Sequence, residues 1–185
     1  MNNEFHFVTS DVVRYQPDLM LEVLERHKVK YVIIGGFAAE LRGSPYATQD
    51  VDVTPARTRS NLRRLSQALV EIDAKLRVPE MADPLEISLN EFSFDQGTTW
   101  TFVTRHGYLD IALLPDGTLG YNDLMRDATK EQLTTTLSIF VASLADVIRS
   151  KEAAGREKDR AILPILRQVL ERSQNESTHG KNVPK

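Results

Sequence analysis

YATQDVDVT, residues 46–54, sets two aspartates, Asp50 and Asp52, among valines in a stretch that otherwise has the composition of a strand interior. Residues two apart on a strand share a face, so Asp50 and Asp52 project together while Val51 and Val53 enter the core. Two carboxylates that close repel each other and resist joint ionisation unless a cation lies between them. A solvent-facing strand edge accounts for a lone D-x-D equally well. A calcium loop does not, because it would require an amide or carboxylate at Thr54, a glycine at Pro55 and a glutamate at Asn61.

The chain around this stretch reads as alternating elements. Residues 17–28 carry apolar side chains at helical spacing behind Pro17. Residues 31–34 (YVII) form a short apolar run of the kind found in strands buried on both faces. Gly35-Gly36 ends that run, residues 37–41 read as a helix, and Gly43-Ser44-Pro45 breaks it. The second strand, 51–54, stops at Pro55. Residues 60–72 give an amphipathic helix whose first half is basic through Arg57, Arg59, Arg63 and Arg64. Pro79 and Pro84 predict a loop over 78–95 with a short strand near 87–89. Residues 99–114 read as two strands joined at 105–107, 121–128 as a short helix and 137–141 as a strand. Ser143, with Asp146 three residues on, has the spacing of a helix cap. A last helix over 159–172 is expected to bend or restart at Pro164, and residues 173–185 to be a disordered tail. The sum is an α/β (α+β) domain around one mixed sheet. The expected organisation is one domain over 1–172, with a core at about 30–142 and a helical part at about 143–172.

Composition narrows the chemistry. The 185 residues contain no cysteine, which excludes disulfides, thiolate metal sites and cysteine nucleophiles. A net charge of -3 argues against binding a polyanion by bulk charge and leaves room for a local basic patch. The first ten residues lack a charged and then apolar leader, and no apolar run approaches the length of a bilayer span. The expectation is a soluble cytoplasmic protein with no membrane partner. The four histidines show no ligand spacing, and His106 reads as a turn residue.

Three further features bear on Asp50 and Asp52. Asp110, in YLDIALL, is a third carboxylate flanked by apolar residues in a strand-like run. Three carboxylates on adjacent strands suit two divalent ions, the arrangement used for phosphoryl transfer. Gly35-Gly36 stands where a buried strand turns into a helix, a place where backbone N–H groups attract phosphate, although turns use such pairs constantly. Residues 149–160 (RSKEAAGREKDR) carry five basic residues. Arg149 and Arg160 read as a solvated helix face, whereas Lys151 and Arg156 flank Gly155 and suit a triphosphate, one as a point charge and the other as a fork.

In this order, IIGGFAAELRG, TQDVDVT and YLDIALL resemble the polymerase-beta-like nucleotidyltransferase superfamily, whose pattern is a hydrophobic-Gly-[Gly/Ser] turn, a [DE]-h-[DE]-h strand and a later h-[DE]-h strand. The C-terminal FVASLADVIRSKEAAGREKD is similar to a bacterial subgroup related to AbiEii-type toxins, which includes mycobacterial tRNA-modifying toxins. The resemblance spans roughly residues 30–170; many members have Gly-Ser where this chain has Gly35-Gly36. It implies a nucleotidyltransferase palm with C-terminal helices. It implies that Asp50, Asp52 and Asp110 hold two Mg²⁺ ions and that Gly35 and Gly36 cradle phosphates. It further implies that Lys151 neutralises the triphosphate of ATP or another NTP, with Arg156, and that Lys158 and Asp159 close the terminal motif. The implied function is transfer of a nucleoside monophosphate to an acceptor hydroxyl, with the tRNA 3′ end as acceptor and an antitoxin as protein partner. The alternatives are a drug-modifying nucleotidyltransferase, ranked lower because a substrate domain is usually appended, and an inactive binding module that regulates a partner.

Overall fold

The computed structural model describes residues 14–179. Residues 1–13, including the segment read as lacking a leader, and residues 180–185 of the expected tail lie outside the described residues. The chain begins with α1 (Pro17–Arg26), β1 (Tyr31–Ile34), α2 (Gly35–Leu41), β2 (Asp50–Pro55) and α3 (Arg59–Glu71). There follow β3 (Lys75–Leu76), a 3-10 turn (Ser93–Gln96), β4 (Thr99–Thr104), β5 (Gly107–Ala112) and the single-turn α4 (Tyr121–Leu124). The last elements are β6 (Thr129–Gln132), β7 (Ser138–Val141), α5 (Leu144–Ala154) and α6 (Glu157–His179).

The strands form one mixed sheet in the order β3-β4-β5-β2-β1-β7-β6. β2 runs parallel to β5 and β1 parallel to β7, while the remaining pairs are antiparallel. The α/β architecture expected from the pattern is therefore present. The all-apolar β1 lies inside the sheet and is buried along its whole length. Val51 and Val53 of β2 sit opposite Leu109 and Ile111 of β5, and all four are fully buried. Their alternation leaves Asp50, Asp52 and Asp110 on the other face. Of the helices, α1 packs against α3, and α5 against both α2 and α6.

Several expectations are corrected. α2 begins at Gly35, so the glycine pair is the first turn of the helix and not a break before it. The strand expected near 87–89 is absent, and that region contributes only an isolated bridge between Leu85 and Leu76. The helix expected over 121–128 stops at Leu124, and residues 129–132 form an unanticipated edge strand. α6 runs from Glu157 through Pro164 without a break to His179, so residues 173–179 are helical and not a disordered tail. Pro164 removes one backbone hydrogen bond, but Leu163 and Leu166 are buried on either side of it and hold both halves of α6 on the core. The Ser143 cap is as expected: its Oγ accepts from the Asp146 N–H at 3.1 Å.

Candidate active site

The parallel register of β2 with β5 puts Asp52 directly beside Asp110 and Asp50 beside Tyr108. The three carboxylates therefore lie on one sheet face, and all three line a cleft of about 360 Å³. Gly35, Gly36, Lys151 and Arg156 line the same cleft. The three carboxylates, the glycine pair, Lys151 and Arg156 are thus brought to one place. The Thr48 hydroxyl donates to Asp50 Oδ1, and the Tyr15 phenol donates to the Asp50 carbonyl oxygen at 3.4 Å.

The electrostatics of the cleft are unfavourable to its own carboxylates. Burial, with repulsion from Asp50 and Asp110, pushes Asp52 up from 3.8 to about 7, although the Gly36 N–H and Lys151 work the other way. Burial and Asp50 also raise Asp110, against the opposing pull of Thr101, Lys158 and Arg77. Asp110 Oδ1 is buried and has no hydrogen-bond partner. Among the described residues no three His, Cys, Asp or Glu side chains are clustered closely enough to hold a metal ion as they stand. The cleft nevertheless fits a hard divalent cation. It offers oxygen donors only, in strand register, two of them destabilised as anions and one carrying an orphaned oxygen.

The glycine pair makes room for this chemistry. Gly35 has φ +71°, a conformation that side chains disfavour, and a Cβ there would lie 1.9 Å from Asp52 Oδ2. A Cβ on Gly36 would lie 2.8 Å from Thr48 Oγ1. The close approach served by the pair is that of Asp52 and Thr48 to the start of α2.

The cationic wall of the cleft is built at the α5–α6 corner. Gly155 ends α5 in the left-handed conformation, and α6 starts two residues later. This turn brings Asp159, which is 1% exposed, back onto Lys151. Lys151 Nζ donates to Asp159 Oδ1 at 2.9 Å and Arg156 Nε to Oδ2 at 2.6 Å. Burial works to raise Asp159, but the two cations together hold it below the ordinary carboxylate range. The bond to Asp159, ahead of the attraction of Asp52 and Asp116, raises Arg156. Asp159 therefore fixes where both cations stand. On the expectation of an NTP substrate that the resemblance implies, replacing Asp159 with Asn should weaken activity about 100-fold through misplacement of Lys151 and Arg156, an effect to be read as a higher KM for NTP together with a lower kcat. Lys151→Ala should cost at least as much. A fully active Asp159→Asn protein would show that the corner is not needed.

The arginines at the start of α3 have a different fate. Arg59 pairs with Asp95 at 2.8 Å and stacks over Phe92, and Arg63 pairs with Glu91 at 2.5 Å. Arg64 donates to the Lys28 carbonyl. These side chains pin the 90–95 segment to α3, so much of the charge that suggested a basic face is neutralised within the fold.

No protein-family model matches the chain, and no curated protein matches its sequence. Solved structures do match its shape. The lincosamide antibiotic adenylyltransferase LnuA, with lincomycin bound, superposes with a TM-score of 0.53 at 16% identity, over 82% of this chain and 94% of LnuA. The chain has a nucleotidyltransferase fold. A second structure with this fold, the candidate nucleotidyltransferase TM1012 of Thermotoga maritima, matches with a TM-score of 0.51 at 16% identity, over 85% of this chain and 89% of that one. Within this fold, Thr48, Tyr15, Thr101 and Asp116 are residues at or beside the cleft that sequence reasoning did not single out. Thr48 was findable, since it continues the period-two face of Asp50 and Asp52. Tyr15 and Asp116 carry no local signal and arrive through tertiary packing. Among the described residues no helix is long and apolar enough to cross a membrane.

Proposed function

We propose that the chain is a nucleotidyltransferase, moving a nucleoside monophosphate from an NTP to an acceptor hydroxyl. The observation that carries this reading is the convergence of Asp50, Asp52 and Asp110 with Lys151 and Arg156 in one cleft of a nucleotidyltransferase fold. Mg²⁺, held by the three carboxylates as two ions, would neutralise the phosphate charge and align the α-phosphate. Lys151 and Arg156 bind the outer phosphate oxygens. Gly35 and Gly36 let Asp52 and Thr48 seat against the start of α2, which keeps Asp52 facing the phosphates. The acceptor oxygen forms a bond to the α-phosphorus, the bond to the bridging oxygen breaks, and pyrophosphate leaves with that electron pair. Asp110, destabilised as an anion, takes the acceptor's proton.

We read the acceptor as a tRNA 3′ end and the chain as the toxin of a bacterial toxin–antitoxin pair, with an antitoxin as protein partner in the cytoplasm. The similarity of the Lys151–Asp159 region to AbiEii-related toxins supports this. A second reading, modification of an antibiotic hydroxyl, is favoured by the likeness to LnuA. This chain spans 94% of LnuA, so the argument that a drug enzyme needs an appended substrate domain does not hold. An inactive regulatory module fits less well, because the carboxylates and Lys151 are all in place.

Incubation with α-labelled ATP, CTP, GTP or UTP, with total tRNA or lincomycin, and with or without Mg²⁺, separates these readings. Mg²⁺-dependent label in tRNA is the expected result. Label in lincomycin alone replaces the tRNA reading with the second, and no label in either counts against nucleotidyl transfer to these acceptors.

A further inference from the structure

Asp110 is flanked by two cations that the triphosphate does not require. Arg77 follows β3, and its backbone N–H donates to the Thr101 carbonyl at 2.8 Å, with Thr101 directly opposite Asp110 in the β4–β5 register. The Arg77 guanidinium sits 5.5 Å over the Tyr108 ring. Tyr108 lies two residues before Asp110 on the same strand, so Arg77 is on the carboxylate face. From the opposite direction Lys158, in the first turn of α6, lines the carboxylate cleft. Both side chains are exposed, and neither makes an ion pair among the described residues. Lys151 and Arg156 differ in this respect, since both are tied to Asp159.

A second hollow, of about 620 Å³, opens beside Arg77 and shares Thr99 with the carboxylate cleft. Arg77 is the charged residue of its lining, which contains no carboxylate. Trp100 also lines it, and its Nε1–H is buried without an acceptor. A hollow whose one charged side chain is a guanidinium has nothing to neutralise a cationic drug, and it suits an anion.

We infer that the acceptor carries a phosphate beside its reacting hydroxyl, and that Arg77 and Lys158 hold this phosphate next to Asp110 while the neighbouring residue of the acceptor occupies the β3–β4 hollow. This rests on the nucleotidyl-transfer reading and names the acceptor's chemistry. A polynucleotide end and a small sugar phosphate share that chemistry.

The test measures binding by the full chain in the presence of Mg²⁺ and a non-hydrolysable NTP. The probes are a fluorescein-labelled CCA-ended RNA oligonucleotide, with ribose 5-phosphate and lincomycin as unlabelled competitors. Arg77→Ala and Lys158→Ala, both at exposed positions, should each weaken oligonucleotide binding about tenfold. Each should also reduce its salt slope by about 0.7, the value for one lost single-strand phosphate contact. Arg63→Ala, which removes an arginine already paired with Glu91, should leave oligonucleotide binding unchanged. Competition by ribose 5-phosphate assigns the site to a small phosphate, its absence assigns it to a polynucleotide, and either supports a phosphate subsite. Binding that is indifferent to Arg77 and Lys158, equally sensitive to Arg63, or displaced by lincomycin but not by ribose 5-phosphate overturns the inference. The affinity for the NTP analogue is read separately, and failure to bind it would count against nucleotidyl transfer itself.

Discussion

Asp52→Asn should abolish nucleotidyl transfer while making the metal-free protein more stable. On the proposed function, the loss follows from removing one of three carboxylates that would hold the reacting phosphate's counter-charge, and roughly 10³-fold or more in kcat is expected. The gain follows from the same position. Asp52 is raised from 3.8 to about 7, chiefly by burial and by its two carboxylate neighbours. For an acid with a raised folded-state value, folding is favoured most when the group is protonated. The stability linked to Asp52 is therefore fully present below its ordinary value and is lost as pH rises through about 7. Thermal melts of wild-type protein in EDTA should thus fall between pH 5 and pH 8, and Asp52→Asn should flatten that fall and melt higher at pH 8. A mutant that melts lower at pH 8, or one that keeps near-normal turnover with Mg²⁺ and NTP, would show that Asp52 is not a repelled carboxylate awaiting a cation.

Gly35→Ala should be nearly as damaging, although it adds only a methyl group. That methyl would sit 1.9 Å from Asp52 Oδ2 and 2.5 Å from its carboxyl carbon, on a backbone with φ +71°. The left-handed conformation alone costs about 1–2 kcal/mol for a residue with a side chain. Relief of the clash requires the Asp52 carboxylate to leave its place between Gly35 and Asp110. A displacement of about 1 Å in a reacting constellation can cost 10²-fold, so a loss of at least that size in kcat is expected, with a melting temperature lowered by several degrees. Gly36→Ala, which meets the Thr48 hydroxyl at 2.8 Å on ordinary backbone, should be milder. Equal activity in Gly35→Ala and wild type would show that the glycine pair serves some purpose other than space for Asp52.

Much of this site can be read from the chain because strand alternation is a strong signal. TQDVDVT and YLDIALL each force aspartates and valines or isoleucines to opposite faces, and β2 and β5 do pair so that Asp52 meets Asp110. Gly35 was legible as a turn and a phosphate cradle but not as space for a side chain, since its neighbour, Asp52, lies 17 residues on. β6 escaped notice because TKEQ is a polar edge strand without apolar alternation. The extension of α6 past residue 172 has no apolar face to announce it. It continues a helix already nucleated, and propagation costs far less than nucleation. The arginines of α3 looked like a docking surface because their partners, Glu91 and Asp95, are about 30 residues away in sequence. Conversely, Arg77 attracted no attention in a proline-flanked segment, and only the β3–β4 pairing carries it to the carboxylate face.

Electron paramagnetic resonance of Mn²⁺, titrated into the protein with a non-hydrolysable NTP, measures the cation-holding role of the three carboxylates directly. Saturable Mn²⁺ binding by the wild type, weakened at least about tenfold by Asp50→Asn and again by Asp110→Asn, is the predicted result. Mn²⁺ bound no more tightly by the wild type than by the nucleotide alone, or bound by both variants as tightly as by the wild type, would contradict the account.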